Sequence, residues 1–563
     1  FASQPTPMAC MQMTTNRANV FAIILISLFR GALCGPSLRG GDTTAAKCEA
    51  DRRNLVDLAG GFTHADGSSR LELMEDAMAA MFKALPKDKH GRAKHDVVQY
   101  ALHRIFVHRR SWYVRGLEPS DVNYSKDIQG RSAVSFNGDL NSIPFLPSLL
   151  QASFEQRHLG VGLSLTELAA LAASMEDLAH QESLRRLDVV LNALNFTKES
   201  VLNESAVERA IDAYLTVYIE GAFDTWAPED FDAKATLFRK TGQYTLLQPW
   251  LQEIFQNVSS GVPRTVNQIE RVVEAIDDTY GRRNDRECKK MKRELLAMER
   301  RAQGRVRLSD FYNQTLTGST WFWFGEKVDY LRTLGALDAT NASNLQVIVA
   351  NYVTSQTNCI RSSSAYDVCC RNECEDLMSE LEGFVGAPEA EPDRLANLVA
   401  SLESDTVKPQ GHLSTTLQNQ LQVIAHENGG QVALHSRSFA LWMHKVFPRE
   451  CPFPHQAGST RPLTADEWIK STGESTQLAS REEMIEYIRP DDTCSSEGDV
   501  HTDAWLNEEF EMKYMTTLLD QIPDAPVLEE ATGGPLRTVM LACAALLAPV
   551  VAFVRIAMPA KKV

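Results

Sequence analysis

The chain has 563 residues, a formal net charge of −16 and 44% hydrophobic residues. This composition suits a globular chain with a sizeable core, and the excess of Asp and Glu argues against nucleic acid as a partner. With its two apolar ends set aside, roughly 500 residues remain, enough for two to four domains.

The first element is Val20 to Phe29, a mostly apolar run preceded by Arg17 and followed by Ala32-Leu33-Cys34-Gly35. It is too short for a membrane span, which needs roughly 20 apolar residues. It has the basic, apolar and small-residue parts of a signal peptide, with Met13 read as the start, Met8 and Met11 as alternatives, and cleavage after Cys34. The expectation is a signal peptide over 1–34.

Helical periodicity follows. Leu71, Met74, Met78, Met81 and Leu85 recur at steps of three and four, as do Val97, Ala101 and Ile105 beside Val98, Leu102 and Phe106. Ser164-Leu-Thr-Glu167 is a capping box opening a long apolar-striped segment through Leu194. Val207, Ile211, Leu215 and Tyr218 continue the pattern. Further helices are expected near 245–257, 265–279, 285–302 and 326–337, and the best strand candidate is Leu345 to Ala350. Six sequons, at Asn123, Asn195, Asn203, Asn257, Asn313 and Asn341, all precede the cysteine-rich part. Residues 35–330 thus read as a helical, N-glycosylated ectodomain of one or two subdomains.

From Cys359 onward, helices near 371–384, 391–403, 414–426 and 434–446 alternate with Cys- and Pro-containing turns, giving a Cys-rich helical domain over 331–490. Residues 491–535 read as an acidic membrane-proximal stalk. The uncharged run Thr538 to Val554, bracketed by Arg537 and Arg555, reads as a transmembrane helix over 536–556. The positive tail 557–563 then lies in the cytosol and the bulk of the chain outside. The fold class is mainly α: a multi-helix ectodomain, a Cys-containing helical C-terminal domain and one C-terminal transmembrane helix.

Eight cysteines remain between the apolar ends, Cys48, Cys288, Cys359, Cys369, Cys370, Cys374, Cys451 and Cys494, an even set that suits disulfides in an oxidising compartment. Adjacent Cys369 and Cys370 are expected to seek separate distant partners. His435, His444, Cys451 and His455 are residue types that bind zinc or copper. Their spacing fits poorly, because residues nine apart on a helix point to opposite sides and Pro452 and Pro454 break the next turn. His435 and His444 are the catalytic candidates, and His444, Cys451 and His455 the metal candidates; no cofactor is predicted.

Other motifs have ordinary structural readings. His103 and His108 suit the surface or the boundary of a core, and Trp321-Phe-Trp-Phe324 suits a core. Asp224, Glu229, Asp230 and Asp232 cluster near Trp226 without the calcium-loop spacing. Residues 282–307 carry eleven Lys or Arg against four acids; this basic face could dock the acidic stalk, bind anionic glycans or be processed at Lys292-Arg293. The usual catalytic signatures, such as G-x-S-x-G and H-E-x-x-H, are absent from the sequence.

The stretches Tyr100-Ala-Leu-His-Arg-Ile-Phe-Val-His, Trp323-Phe-Gly-Glu-Lys-Val-Asp-Tyr-Leu-Arg, Cys369-Cys370-Arg-Asn-Glu-Cys374 and Phe447-Pro-Arg-Glu-Cys-Pro-Phe-Pro-His455 resemble a family of uncharacterised secretory-pathway membrane proteins from unicellular algae. That resemblance implies no activity and carries over no functional residue. The expected protein is a single-pass type I membrane protein of the plasma membrane or an endomembrane. Its disulfide-stabilised ectodomain would bind, recognise or scaffold an extracellular or lumenal protein or glycan. The alternative is a secretory-pathway or surface enzyme with a His/Cys site around 435–455.

Overall fold

The computed structural model describes residues 53–488, apart from 54, 65–66, 115–116, 118–161, 198–200, 222–225, 260, 301–302, 319–321, 361–365, 410 and 457–458. The expected signal peptide, stalk, transmembrane helix and tail, together with Asn123, Cys48 and Cys494, lie outside the described residues. Among the described residues no helix is long and apolar enough to cross a membrane.

Side chains that accept hydrogen bonds from first-turn backbone N–H groups set several helix starts. Ser69 opens α1 (Arg70–Ala84), and α2 (His95–Arg110) follows. Ser164 and Glu167 form the expected capping box of α3 (Leu165–Ala193), with Glu167 Oε2 reached by the Ser164 amide at 2.8 Å. Asn203 caps α4 (Glu204–Glu220) through a 2.8 Å bond from the Ala206 amide. Next come α5 (Pro228–Arg239), which was not expected, and α6 (Gly242–Ser259), expected over the narrower 245–257.

Thr265 caps α7 (Val266–Met298), a single helix of 33 residues and roughly 50 Å at the usual rise. Two helices were expected here. The apolar positions Ile269, Val273, Ile276, Tyr280, Cys288, Met291 and Leu295 stay on one stripe, so the charged residues between 281 and 290 do not interrupt it. The first half of α7 belongs to a core with α1 to α4, built on Met74, Met78, Leu102, Phe106, Leu168, Ile211 and Tyr214. Its second half belongs to another core.

That second core is assembled from β2 (Arg305–Arg307), α8 (Leu308–Thr317), α9 (Val328–Thr333), β3 (Leu337–Asp338), β4 (Gln346–Ile348) and α10 (Val349–Val353). The three strands form an antiparallel sheet in the order β2-β4-β3. The strand expected at 345–350 therefore occupies only its first half; the rest turns into α10. Because this core takes residues from both sides of 330, the domain boundary expected there falls inside it.

The chain then returns to the first core. Ser111, in the left-handed region at φ 59°, turns the end of α2 into β1 (Trp112–Val114), which pairs antiparallel with β5 (Tyr366–Val368). The Trp112 and Tyr366 rings stack at 4.2 Å. A third core follows from α11 (Cys374–Val385), β6 (Glu389–Ala390), α12 (Pro392–Ser401), α13 (Thr415–Glu427), β7 (Val432–Ala433) and α14 (Arg437–Val446). Two last helices, α15 (Ala465–Thr472) and α16 (Arg481–Ile488), place Trp468 and Met484 back on the second core. The described fold is mainly α, as the sequence led us to expect.

Candidate functional site

The 435–455 stretch does not bring its histidines together as reactive groups. Helix α14 starts at Arg437, after the Ser436 cap, so His435 precedes it rather than sharing it with His444. The His435 Nδ1 lies 3.2 Å from the Tyr100 hydroxyl, and its Nε2 lies 3.4 Å from Glu382. Burial, helped by nearby Arg104, holds this imidazole down to about 3. His444 is fully buried and donates from Nδ1 to the Cys451 carbonyl at 2.6 Å, leaving Nε2 facing Arg305 at 3.5 Å. Burial and then the Arg305 charge push it down to about 4. His455 donates from Nε2 to the Gly335 carbonyl at 2.7 Å.

Cys451 is joined to Cys374, so it has no thiolate to offer a metal. Among the described residues, no group of three or more His, Cys, Asp or Glu side chains is placed to hold a metal ion.

Six of the eight candidate cysteines pair. Cys288 joins Cys370, Cys359 joins Cys369 and Cys374 joins Cys451, with Cα–Cα distances of 5.7, 4.2 and 4.6 Å. Adjacent Cys369 and Cys370 do take different partners. Cys288–Cys370 ties the long helix α7 to the end of β5, and Cys374–Cys451 ties the start of α11 to the turn after α14.

The basic segment is largely neutralised from within. Lys292 is buried and reaches Glu373 at 2.6 Å and Glu450 at 3.4 Å. Lys289 pairs with Asp405, Arg300 with Asp310, and Arg305 with Asp338. With Lys292 buried on the helical face of α7, the Lys292-Arg293 pair is not presented as a processing site. Trp323 is 61% exposed while Phe324 is buried, so the expected aromatic core holds for Phe324 and fails for Trp323. Trp321 and Asp224 lie outside the described residues. Asp230 accepts from the Ala227 amide at 2.9 Å, Asp232 pairs with Arg209, and Lys234 sits over the Trp226 ring, while Glu229 lies in the first turn of α5. His108 meets Asp376 at 2.8 Å, whereas His103 lies edge-on to Tyr113, and burial pushes it down to about 4.

A different set of polar residues forms the candidate site, inside the first core. His64 stands in the loop before α1, Arg70 opens α1, and Arg110 closes α2. Glu176 and His180 lie one turn apart on α3. Glu274, Asp277 and Asp278 share a face of α7. Arg110 Nε donates to Glu176 at 2.7 Å and Arg110 Nη1 meets Asp278 at 2.9 Å. Arg70 donates to Glu274 at 2.5 Å and lies 3.5 Å from Glu176. The His64 ring is 3.8, 3.7 and 3.6 Å from Glu176, Glu274 and Asp278. The Tyr214 hydroxyl donates to Asp277 at 3.1 Å and is itself reached by Arg186 at 3.4 Å.

Electrostatics separates these carboxyls. Burial alone would raise Glu176, but Arg110 and Arg70 outweigh it and hold the carboxyl below its usual range. Burial raises Asp278, and it raises Asp277 to about 7 against the pull of Arg186. The group surrounds a cavity of about 10 Å3 lined by Arg70, Trp112, Glu176, His180, Glu274, Asp277 and Asp278. One water needs ~10–15 Å3, so the cavity is too small for an organic substrate. The Trp112 Nε1, Arg70 Nε, Glu176 Oε2 and His64 Nε2 atoms have no protein hydrogen bond of normal geometry. Such a mixture of donors and acceptors can hold water and protons.

This group was not found from sequence because its members sit at stripe positions among apolar residues. Glu176, between Ala172 and Ala179, carries the one available signal: a charge on a face that is otherwise apolar.

No family model, curated protein or solved structure matches this chain.

Proposed function

We propose that this chain is a type I single-pass membrane protein whose helical ectodomain binds, recognises or scaffolds a protein or glycan outside the cytosol, and that it resembles secretory-pathway membrane proteins of unicellular algae. The observation that carries the reading is the set of three disulfides, Cys288–Cys370, Cys359–Cys369 and Cys374–Cys451, which suits an oxidising compartment. The five sequon asparagines among the described residues, Asn195, Asn203, Asn257, Asn313 and Asn341, are all exposed, as glycan attachment requires. The alternative enzyme site at 435–455 loses support, because Cys451 is engaged in a disulfide and His444 and His455 are held to backbone carbonyls.

Surface labelling of intact cells, with glycosidase treatment of the recovered protein, tests this reading. Label and a mass shift are expected on the region before Leu536. Protection of that region in intact and permeabilised cells alike, with no mass shift, overturns it.

A further inference from the structure

We propose that Asp277 is a proton-binding site inside the first core, reached from the surface by way of His64 and Asp278, and that its occupancy sets how tightly α3, α4 and α7 hold together. The inference is independent of the membrane topology.

The position of Asp277 carries the argument. Its carboxyl lies between three helices and lines the small cavity, with Tyr214 of α4 donating to Oδ1. The charged and titratable groups around it come from every neighbouring element. Helix α3 supplies Glu176, His180 and Arg186, and α7 itself supplies Glu274 and Asp278. Arg70 comes from α1, His64 from the loop before it, Arg110 from α2, and Tyr366 from β5. Arg70 and Arg110 are already engaged by Glu176, Glu274 and Asp278.

Ionising Asp277 adds a fourth carboxylate beside Asp278, with Arg186 as the nearby positive charge and the Ser183 and Tyr214 hydroxyls as its hydrogen-bond donors. The smallest ligand that relieves this charge is a proton, and the cavity admits little more. At the other end of the group Asp278 is 24% exposed and His64 is 10% exposed, so the cluster reaches solvent there.

The direction of the effect follows from linkage. Burial places the folded-state Asp277 at about 7, well above the ~3.9 of a free aspartate. The folded protein therefore binds this proton more tightly than the unfolded chain. The stability contributed is largest below ~4 and is lost as pH rises towards about 7.

Amide hydrogen exchange on the full-length protein in detergent tests the proposal. Peptides covering 204–220 and 266–280 are compared at about pH 5 and about pH 8, after correction for intrinsic exchange. In the wild type, exchange in these peptides should rise by up to about a hundredfold more than the intrinsic rate. Asp277→Asn should remove that excess. Tyr214→Phe, which deletes a hydrogen bond favouring the ionised form, should move the midpoint to higher pH, and it reports even where Asp277→Asn does not fold. Wild-type exchange that follows the intrinsic rate alone overturns the proposal. So does excess exchange that persists in Asp277→Asn, or a Tyr214→Phe midpoint that stays in place or falls.

Discussion

A Cβ added to Gly281 would lie 2.2 Å from the carbonyl oxygen of Arg110. Helix α7 therefore touches the end of α2 backbone to backbone, and only glycine fits. The contact holds Arg110 where its guanidinium can reach both Glu176 and Asp278. Gly281→Ala should lower unfolding free energy by about 3 kcal/mol, the upper part of the usual overpacking range. Urea denaturation monitored by circular dichroism checks this. An alanine variant as stable as the wild type would show that the two helices can part without cost.

The Arg110–Glu176 pair is buried on both sides, at 7% and 1% side-chain exposure. Removing one partner leaves an uncompensated charge in the core, so Arg110→Met should cost about 3–5 kcal/mol. Arg110→Met combined with Glu176→Gln should cost less than the sum of the two single changes, because the second removes the stranded charge. Strict additivity in a double-mutant cycle would show that the two side chains are not coupled.

The sequence made the helices legible wherever apolar spacing and a cap coincide. Ser164 and Glu167 located α3, and the stripe from Leu71 to Met81 located α1. It placed two helices, 265–279 and 285–302, where α7 is one, and it read 282–307 as a basic face, whereas Arg283, Cys288 and Lys292 are buried on the packed side. Pairing of Cys369 and Cys370 with separate partners was legible from ring strain, but the partners themselves depend on where β5 returns to β1. The buried charges around Asp277 come from α1, α2, α3 and α7, and no local pattern reports contacts between residues two hundred positions apart.

The Cys374–Cys451 disulfide closes a segment with a sequence separation of 77. It encloses α11 to α14, the whole third core. On the chain-entropy account a loop of this size contributes about 4 kcal/mol. Cys374→Ala with Cys451→Ala should therefore lower the urea midpoint and leave the 374–451 region more open to protease than 204–298. Equal loss of protection in both regions would show that the third core has no stability of its own to lose.

Acid should weaken the fold through its buried imidazoles. Burial holds His435 down to about 3 and His103 and His444 down to about 4. Each folded-state value lies below the ~6.5 of a free histidine, so the unfolded chain takes up protons first as pH falls. The stability these groups contribute is fully present above ~6.5 and is lost progressively as pH falls through about 4. This slope is opposite in sign to the one from Asp277, which acts over much of the same range, so single variants are needed to separate them. His103→Phe keeps a ring against Tyr113 without the titrating nitrogens. It should flatten the acid side of the urea-midpoint profile relative to wild type, while Asp277→Asn should steepen it by removing the opposing term. A His103→Phe profile that superimposes on the wild type would mean that His103 becomes protonated in the fold without penalty.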